Sequence, residues 1–252
     1  FEGNRPALCA FRAYGPHWFF PVAKAYEPGN MAAQRRAAPR AVSIRVKALG
    51  QRSAVTRIPQ QSPCSEARPR SLIAMLGGEC TGKTRLAQAL AQDLKVSYVP
   101  EVLRSFVDQY QRSPHQAEQV EILVAQCRGI EAALCDLDPQ ASGPLLICDA
   151  SPWMTAIYSL QYFGDRALFA EARALMLGLA ENHRCHWLHL HCADDIIWES
   201  DGLQRDGPAH RAQSRALIEQ YPPLAGSAGH ERVALLQGSF EQRFRVAQSR
   251  LG

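Results

Sequence analysis

One eight-residue segment constrains this chain more than any other. Residues 77–84 read Gly-Gly-Glu-Cys-Thr-Gly-Lys-Thr, which matches the phosphate-binding pattern G-x-x-x-x-G-K-[ST]. Glycines permit backbone angles and a close approach that a side chain would block, and the loop amides can then form a nest for phosphate oxygens. The sequence therefore predicts that a nucleotide is bound by Gly77, Gly78, Glu79, Cys80, Thr81, Gly82, Lys83 and Thr84.

The flanks of this motif favour the same interpretation. An apolar run at residues 72–76 suits a buried strand, and apolar residues repeat at helical spacing from Leu86 to Leu94. A helix that begins at the loop directs its N-terminal dipole at a bound anion. Within the motif, Lys83 would supply positive charge to the outer phosphates of ATP, and the hydroxyl of Thr84 would face Mg²⁺.

Strand-like and helix-like patterns alternate along the rest of the chain. Further apolar runs stand at residues 96–101, 144–149, 186–191 and 233–236. This alternation predicts an α/β fold with a mostly parallel central sheet flanked by helices. The phosphate-loop motif indicates that this fold is of the P-loop NTPase type. Ser113 predicts the start of one helix and Ser151 that of another, because each serine precedes a proline.

Residues 185–192 contain three histidines and two cysteines, which invites a metal interpretation. In a strand, however, His189 and His191 share one face while His186 and Cys192 lie on the other. The possible ligands do not converge, so we interpret the run as a core strand.

Two carboxylates follow predicted strands. Because ligands bind outside the carboxyl ends of parallel strands, we expect Glu101 and Asp149 to lie near the phosphate loop. Asp149 would hold Mg²⁺ together with Thr84; the alternative is a turn or helix-start aspartate. Glu101 would orient or deprotonate an acceptor hydroxyl; the alternative is a surface glutamate that opens a helix. Arg104, one turn later, would bind phosphate or pair with Glu101.

A polar, glycine-punctuated segment at residues 198–207 is typical of a mobile lid. Arg211 and Arg215 follow it, and lid arginines can close over phosphates and exclude water. We predict that Arg205 in this segment joins Lys83 in stabilising the charge that develops during phosphoryl transfer. The alternative is a solvated connection between helices whose arginines are simply exposed.

The charge of the chain divides near Ser71. Residues 1–70 carry 12 Lys and Arg against 3 Asp and Glu, a net of +9, whereas residues 71–252 carry 16 against 21, a net of −5. The first part is rich in Arg, Pro, Ala and Gln, so we expect residues 1–70 to be a disordered basic extension. Residues 71–252 would form the P-loop kinase or ATPase domain.

Several roles are open to the basic extension. It could contact nucleic acid or another acidic surface, serve as a transit segment, or have no role. It could also reflect the choice of start site, since the first methionine is Met31. Residues 41–49 alternate weakly and could form a short strand.

Other features of the sequence indicate the cellular compartment of the protein. The eight cysteines form no C-x-x-C pair, which is typical of a reduced, intracellular protein. No apolar stretch approaches the roughly 18 residues of a membrane helix, and the start lacks the features of a signal peptide. We therefore expect a cytoplasmic protein without a membrane span; its oligomeric state is left open.

Residues 71–251 also resemble a known family. The similar residues are the Gly-Gly-Glu start of the loop, Glu101 with Arg104 and Phe106, Ile147-Cys148-Asp149, and Trp198 with Asp201-Gly202-Leu203. The family is the nicotinamide-riboside kinase domain of the bacterial NAD-regulator (NadR) proteins, with its AAA-type P-loop ATPase relatives. The resemblance implies a P-loop kinase fold, ATP with Mg²⁺, and phosphorylation of a nucleoside hydroxyl.

The chain departs from the pattern of this family at three positions. Ser105 and Ser151 stand where the family often has carboxylates, and Gln204 changes the register of the lid arginine. We predict an ATP-dependent kinase that transfers the γ-phosphoryl group to a nucleoside-like acceptor of the nicotinamide-riboside type. The alternatives are a P-loop ATP hydrolase and a regulatory module that binds ATP as a signal.

Overall fold

The computed structural model describes residues 69–138, 140–200, 206–230 and 232–251. They belong to one compact unit, Pro59–Gly252, whereas the other unit, Phe1–Ile58, lies outside the described residues. The predicted basic extension, its short strand at residues 41–49 and the domain boundary near Ser71 therefore stay predictions.

The described residues alternate between strands and helices. The strands are β1 (Ser71–Leu76), β2 (Ser97–Val99), β3 (Pro144–Cys148), β4 (His186–Cys192) and β5 (Arg232–Leu236). The α-helices are α1 (Lys83–Leu94), α2 (Val102–Tyr110), α3 (Gln119–Cys135), α4 (Pro152–Phe163), α5 (Ala167–Asn182), α6 (Pro208–Gln220) and α7 (Phe240–Leu251), with a 3₁₀ turn at Gln116–Glu118. Among these helices, none is long and apolar enough to cross a membrane.

The five strands form one parallel sheet in the order β2-β3-β1-β4-β5. The central strand β1 pairs with β3 on one side and with β4 on the other, so that Ile73 lies opposite both Ile147 and Leu188. All six residues of β1 are buried, as expected for a strand covered on both faces. The predicted α/β fold with a parallel central sheet flanked by helices is confirmed.

Side chains of β1 alternate between two hydrophobic clusters. Leu72, Ala74 and Leu76 belong to a cluster with residues of α3, α4, α5 and α6, whereas Ile73 and Met75 belong to a cluster with α1 and α7. This alternation follows from the two-residue period of a strand. Each fully buried Leu or Ile contributes about 1.5–3 kcal/mol to folding, so both helical layers are held against the sheet.

The two predicted helix starts have different outcomes. Ser151 caps α4 as predicted, since its hydroxyl accepts a hydrogen bond from the Trp153 amide at 3.2 Å. The predicted start at Ser113 is wrong, because the 3₁₀ turn begins after His115. The Glu118 carboxylate accepts from the His115 amide and pairs with Arg112 at 2.6 Å. That ion pair lowers the pKa of Glu118 to about 2 and holds the cap of the turn two residues later than expected, at His115.

The histidine-rich run forms the buried strand β4, which confirms the core interpretation. His189 is completely buried, its ring stacks on Trp187, and its Nε2 lies 3.2 Å from the Ser151 hydroxyl. Burial lowers the pKa of His189 to about 3, with a further contribution from His230. The imidazole is therefore neutral over the physiological range.

Acid is expected to destabilise the fold through His189. Its pKa is about 3 in the folded chain and about 6.5 when exposed, so below about pH 6.5 the unfolded chain binds a proton that the folded chain excludes. The free energy of unfolding should fall by at most about 1.4 kcal/mol per pH unit down to about pH 3. Urea titrations of wild type and His189→Gln across this range measure the effect, which the variant should lack.

His186→Gln is the matched control. His186 lies at the start of the same strand but is only partly buried, so this variant should retain most of the pH dependence. Equal pH dependence in wild type and His189→Gln would show that other groups cause the acid sensitivity.

Candidate active site

The phosphate-loop motif connects the end of β1 to the start of α1, as predicted. Gly77 and Gly82 both adopt positive φ angles, of 137° and 80°. A Cβ atom on Gly77 would lie 2.8 Å from the Cys192 carbonyl oxygen and from the Thr81 hydroxyl. A glycine is therefore required there by space as well as by conformation.

Lys83 lies inside the loop. Its side chain is buried, and Nζ donates a hydrogen bond to the Gly78 carbonyl at 2.7 Å. The Thr81 hydroxyl donates to the same oxygen at 2.9 Å. Thr84, in the first turn of α1, is exposed. The loop thus places one ammonium group and one accessible hydroxyl at a helix N-terminus, where the dipole favours an anion.

The side chains of Glu79 and Cys80 contact the segment that precedes α6. The Glu79 carboxylate accepts hydrogen bonds from Trp198 Nε1 at 3.2 Å and from the Asp206 and Gly207 amides at 2.8 Å. The Cys80 sulfur accepts from the Glu199 amide at 3.2 Å. Both side chains therefore stabilise the neighbouring segment, and nucleotide binding by the backbone amides of Glu79 and Cys80 stays a prediction.

The arginines after the proposed lid have protein partners, and their role in closing over phosphates stays a prediction. Arg211 is buried and donates to the carbonyl oxygens of Cys80 at 3.3 Å and Ile196 at 2.9 Å. Arg215 pairs with Asp194 at 3.0 Å. The predicted Arg205 lies outside the described residues, so its role stays a prediction.

A third arginine, Arg243, also contacts the phosphate loop. The sequence analysis did not identify it as a site residue. Arg243 of α7 is only 3% exposed and donates to the Thr81 carbonyl at 2.8 Å. It also donates to the carbonyls of Gly238 at 2.9 Å and Ala193 at 3.2 Å, and it pairs with Asp195. One guanidinium therefore ties the phosphate loop to the ends of β4 and β5.

The structure brings the two predicted carboxylates near Lys83. Glu101 immediately precedes α2 and lines the cavity described below. Burial raises the pKa of Glu101; Lys83 opposes this shift, Asp149 adds to it, and Arg104 opposes it. The side chains of Lys83, Asp149 and Arg104 thus lie within electrostatic range of Glu101. Glu101 opens a helix, as the alternative interpretation held, yet it also faces the cavity.

Asp149 follows β3 and is almost completely buried. Its Oδ2 accepts a hydrogen bond from the Tyr98 hydroxyl at 2.9 Å, whereas its buried Oδ1 has no hydrogen-bond partner. Carboxylate and hydroxyl oxygens are the ligands that Mg²⁺ prefers, and a buried oxygen without a partner is costly unless a ligand satisfies it. Asp149 and Thr84 therefore fit a magnesium site.

A cavity of about 870 Å³ opens beside the phosphate loop. The loop and Lys83 form one wall, and Glu101 and Arg104 border it. A further wall is aromatic, formed by Tyr158, Tyr162 and Phe163 of α4 and by His210 of α6. The Tyr162 ring stacks on His210 with centroids 5.9 Å apart, and its hydroxyl donates to Asp206. The sequence analysis missed this wall, although Tyr158 and Tyr162 stand one helical turn apart.

A family model described as "AAA domain" matches residues 72–243. The chain belongs to this AAA-domain family. No curated protein sequence matches the chain at a significant level. The family model confirms the resemblance to AAA-type P-loop relatives, and the likeness to a NadR structure below confirms the resemblance to NadR at the level of the fold.

One NadR structure shows the same fold at low identity, and two further solved structures are similar with lower TM-scores. A NadR protein in complex with NR is 16% identical, with a TM-score of 0.51 over 73% of this chain and 52% of that chain. A NadR protein in complex with NAD and AMP-PNP is 15% identical, with a TM-score of 0.49 over 71% and 48%. Deoxyadenosine kinase from M. mycoides with bound dATP is 9% identical, with a TM-score of 0.48 over 73% and 99%. The chain thus spans about half the length of the NadR chains.

Loss of Arg243 is expected to destabilise the phosphate loop. Arg243→Ala removes the donors to three carbonyls and the ion-pair partner of Asp195, which keeps only the Gly238 amide. We expect a loss of about 3 kcal/mol of unfolding free energy, because buried polar groups left unpaired are costly, together with weaker ATP binding. Chemical denaturation and calorimetry measure the two effects.

Arg245→Ala is the matched control, since Arg245 lies on the same helix but is exposed. This variant should stay within about 0.5 kcal/mol of wild type. Similar stability and ATP affinity in both variants would contradict the supporting role of Arg243.

Proposed function

We propose that the chain is an ATP- and Mg²⁺-dependent kinase that transfers the γ-phosphoryl group to a hydroxyl of a small, nucleoside-like acceptor. The cavity carries this proposal. It is lined both by the phosphate loop and by an aromatic wall that belongs to other elements. Its volume of about 870 Å³ lies near the upper end for ligand sites, which leaves room for an acceptor beside the triphosphate.

The loop would hold the triphosphate through its amides and through Lys83. The Lys83 ammonium already donates to the Gly78 carbonyl, so it would exchange this partner for a phosphate oxygen at little cost in reorganisation. Thr84 and Asp149 would hold Mg²⁺, which neutralises negative charge on the phosphates when bound. Arg205 would add a second cation from the predicted lid.

Glu101 would receive the proton of the acceptor hydroxyl. The acceptor oxygen forms a bond to the γ-phosphorus while the bond from that phosphorus to the β–γ bridging oxygen breaks, and ADP leaves with that oxygen. The raised pKa of Glu101 makes its carboxylate a better proton acceptor. Glu101 immediately precedes α2 and lines the cavity beside the phosphate loop, and this position favours the role.

The aromatic wall favours a planar acceptor. Tyr158, Tyr162 and His210 line the cavity, and aromatic rings are the side chains on which a base stacks. A NadR structure contains NR, and the chain resembles that family at the motifs described above. Nicotinamide riboside is therefore the first acceptor to test, followed by thymidine and deoxyadenosine.

Transfer is tested with γ-labelled ATP, Mg²⁺ and a nucleoside panel. Wild type should give a labelled nucleotide, and Lys83→Ala should lower the rate by at least about 100-fold, because the lysine stabilises developing charge. Lys95→Asn is the matched control. It neutralises the exposed lysine after α1, and asparagine tolerates the left-handed conformation of that residue.

Each outcome assigns a function. Labelled product identifies the kinase, free phosphate without an acceptor identifies a hydrolase, and ATP binding with neither activity identifies a sensor. Transfer at the wild-type rate by Lys83→Ala would contradict the assigned site, and absence of ATP binding would overturn all three functions.

The pH profile tests Glu101 separately. Because the carboxylate must be deprotonated to accept a proton, the wild-type rate should rise with pH through the raised pKa of Glu101. Glu101→Gln should lower the rate by about 100- to 10,000-fold and remove this limb of the profile, while ATP binding is retained. A pH profile of the rate that is unchanged in Glu101→Gln would show that another group accepts the proton of the acceptor hydroxyl.

A further inference from the structure

A second group of possible ligands lies outside the cavity. Atoms of Glu131, Cys135 and His183 all lie within 4.8 Å of one another. Glu131 and Cys135 stand four residues apart on α3 and therefore share one face of that helix. His183 directly follows α5, and its amide donates to the Leu179 carbonyl at 3.2 Å, which fixes the position of the residue.

The spacing of these atoms resembles the edges of a metal coordination shell. His183 Nε2 lies 3.1 Å from Glu131 Oε2, yet this buried nitrogen makes no hydrogen bond. Two ligand atoms about 2.0–2.1 Å from one tetrahedral ion are about 3.3 Å apart, which is close to this separation. The separation is that of an ion pair and also that of two ligands that share one ion, and the Nε2 atom without a hydrogen-bond partner favours the second arrangement.

The ligand types select a metal. A thiolate, an imidazole and a carboxylate together suit Zn²⁺ better than Mg²⁺ or Ca²⁺, which prefer oxygen ligands only. Glu131 and His183 are partly buried, whereas Cys135 is exposed. Metal could therefore enter from solvent, and one coordination position would remain open to water.

The topology separates this group from the phosphate loop. Helix α3 leads into β3 and α5 leads into β4, and both strands run parallel to β1. The C-terminal ends of α3 and α5 therefore lie at the amino edge of the sheet, whereas the phosphate loop follows the carboxyl end of β1. The two sites occupy opposite edges.

We propose that Glu131, Cys135 and His183 bind Zn²⁺ and thereby clamp the end of α3 to the end of α5. On binding, the Cys135 thiol releases its proton to solvent and the thiolate becomes the sulfur ligand. The role is structural. The ion stabilises the packing of the two helices and takes no part in phosphoryl transfer.

Metal binding is tested on the full chain without an affinity tag and without nucleotide. Zn²⁺ titration by competition with a chromogenic chelator should show a site that Cys135→Ser and His183→Gln each weaken at least about tenfold. Co²⁺ serves as the spectroscopic probe. Wild type should show visible bands of tetrahedral Co²⁺ with a thiolate charge-transfer band, and Cys135→Ser should lose the charge-transfer band.

Cys185→Ser is the matched control. Cys185 is a partly buried cysteine close in sequence to His183, but its sulfur donates to the Ala180 carbonyl. This variant should keep both the affinity and the Co²⁺ spectrum. Zn²⁺ should also raise the Tm of wild type and of Cys185→Ser, but not that of Cys135→Ser or His183→Gln.

Three results would overturn the proposal. One is equal Zn²⁺ affinity in wild type, Cys135→Ser and His183→Gln. Another is a Co²⁺ spectrum without a thiolate band. The third is an equal loss of affinity in Cys185→Ser, which would show that a different set of ligands holds the ion. In the first two cases the three side chains form an ion pair beside a thiol and nothing more.

Discussion

The common direction of the five strands is the constraint on which the candidate site depends. Because the strands are parallel, the residues after β1, β2 and β3 leave the sheet at the same edge. The phosphate loop follows β1, Glu101 follows β2 and Asp149 follows β3. The parallel arrangement of the strands alone therefore brings together residues that are far apart in the sequence. A change that disturbed the pairing of β1 with β3 would move all three groups.

The surroundings of the loop are stabilised by cations that bind backbone oxygen. Lys83, Arg211 and Arg243 are buried, and each donates to at least one carbonyl of the loop or of the adjoining turns. Carbonyl partners satisfy the donors of a buried cation without adding negative charge. Carboxylates also lie near these cations, Asp195 beside Arg243 and Glu101 within electrostatic range of Lys83, so an anion at the loop is favoured mainly by the loop amides and the N-terminus of α1.

Features that depend on local sequence could be predicted. The phosphate loop, the strand before it and the Ser151 cap each follow from residues within a few positions of one another. The alternation of strands and helices also predicted the parallel sheet. The position of Asp149 at the end of β3 followed from the apolar run that precedes it.

Features that depend on distant contacts could not be predicted. Arg243 belongs to an ordinary amphipathic helix, and only the packing of α7 against the sheet brings it to Thr81. The predicted helix start at Ser113 was wrong because the ion pair between Arg112 and Glu118 stabilises a turn that begins after His115. Helix α2, by contrast, could have been predicted from the local sequence, since Val102, Leu103, Phe106 and Val107 repeat at helical spacing. The aromatic wall forms only when α4 and α6 meet.

The contact between Arg243 and the loop also orders events during synthesis. The loop is made early in the domain, whereas Arg243 belongs to α7, the last helix in the described order. A nascent chain that has completed the sheet but not α7 still lacks the donor to the Thr81 carbonyl. The phosphate loop therefore obtains the support of Arg243 only after α7 has been synthesised and has packed against the sheet.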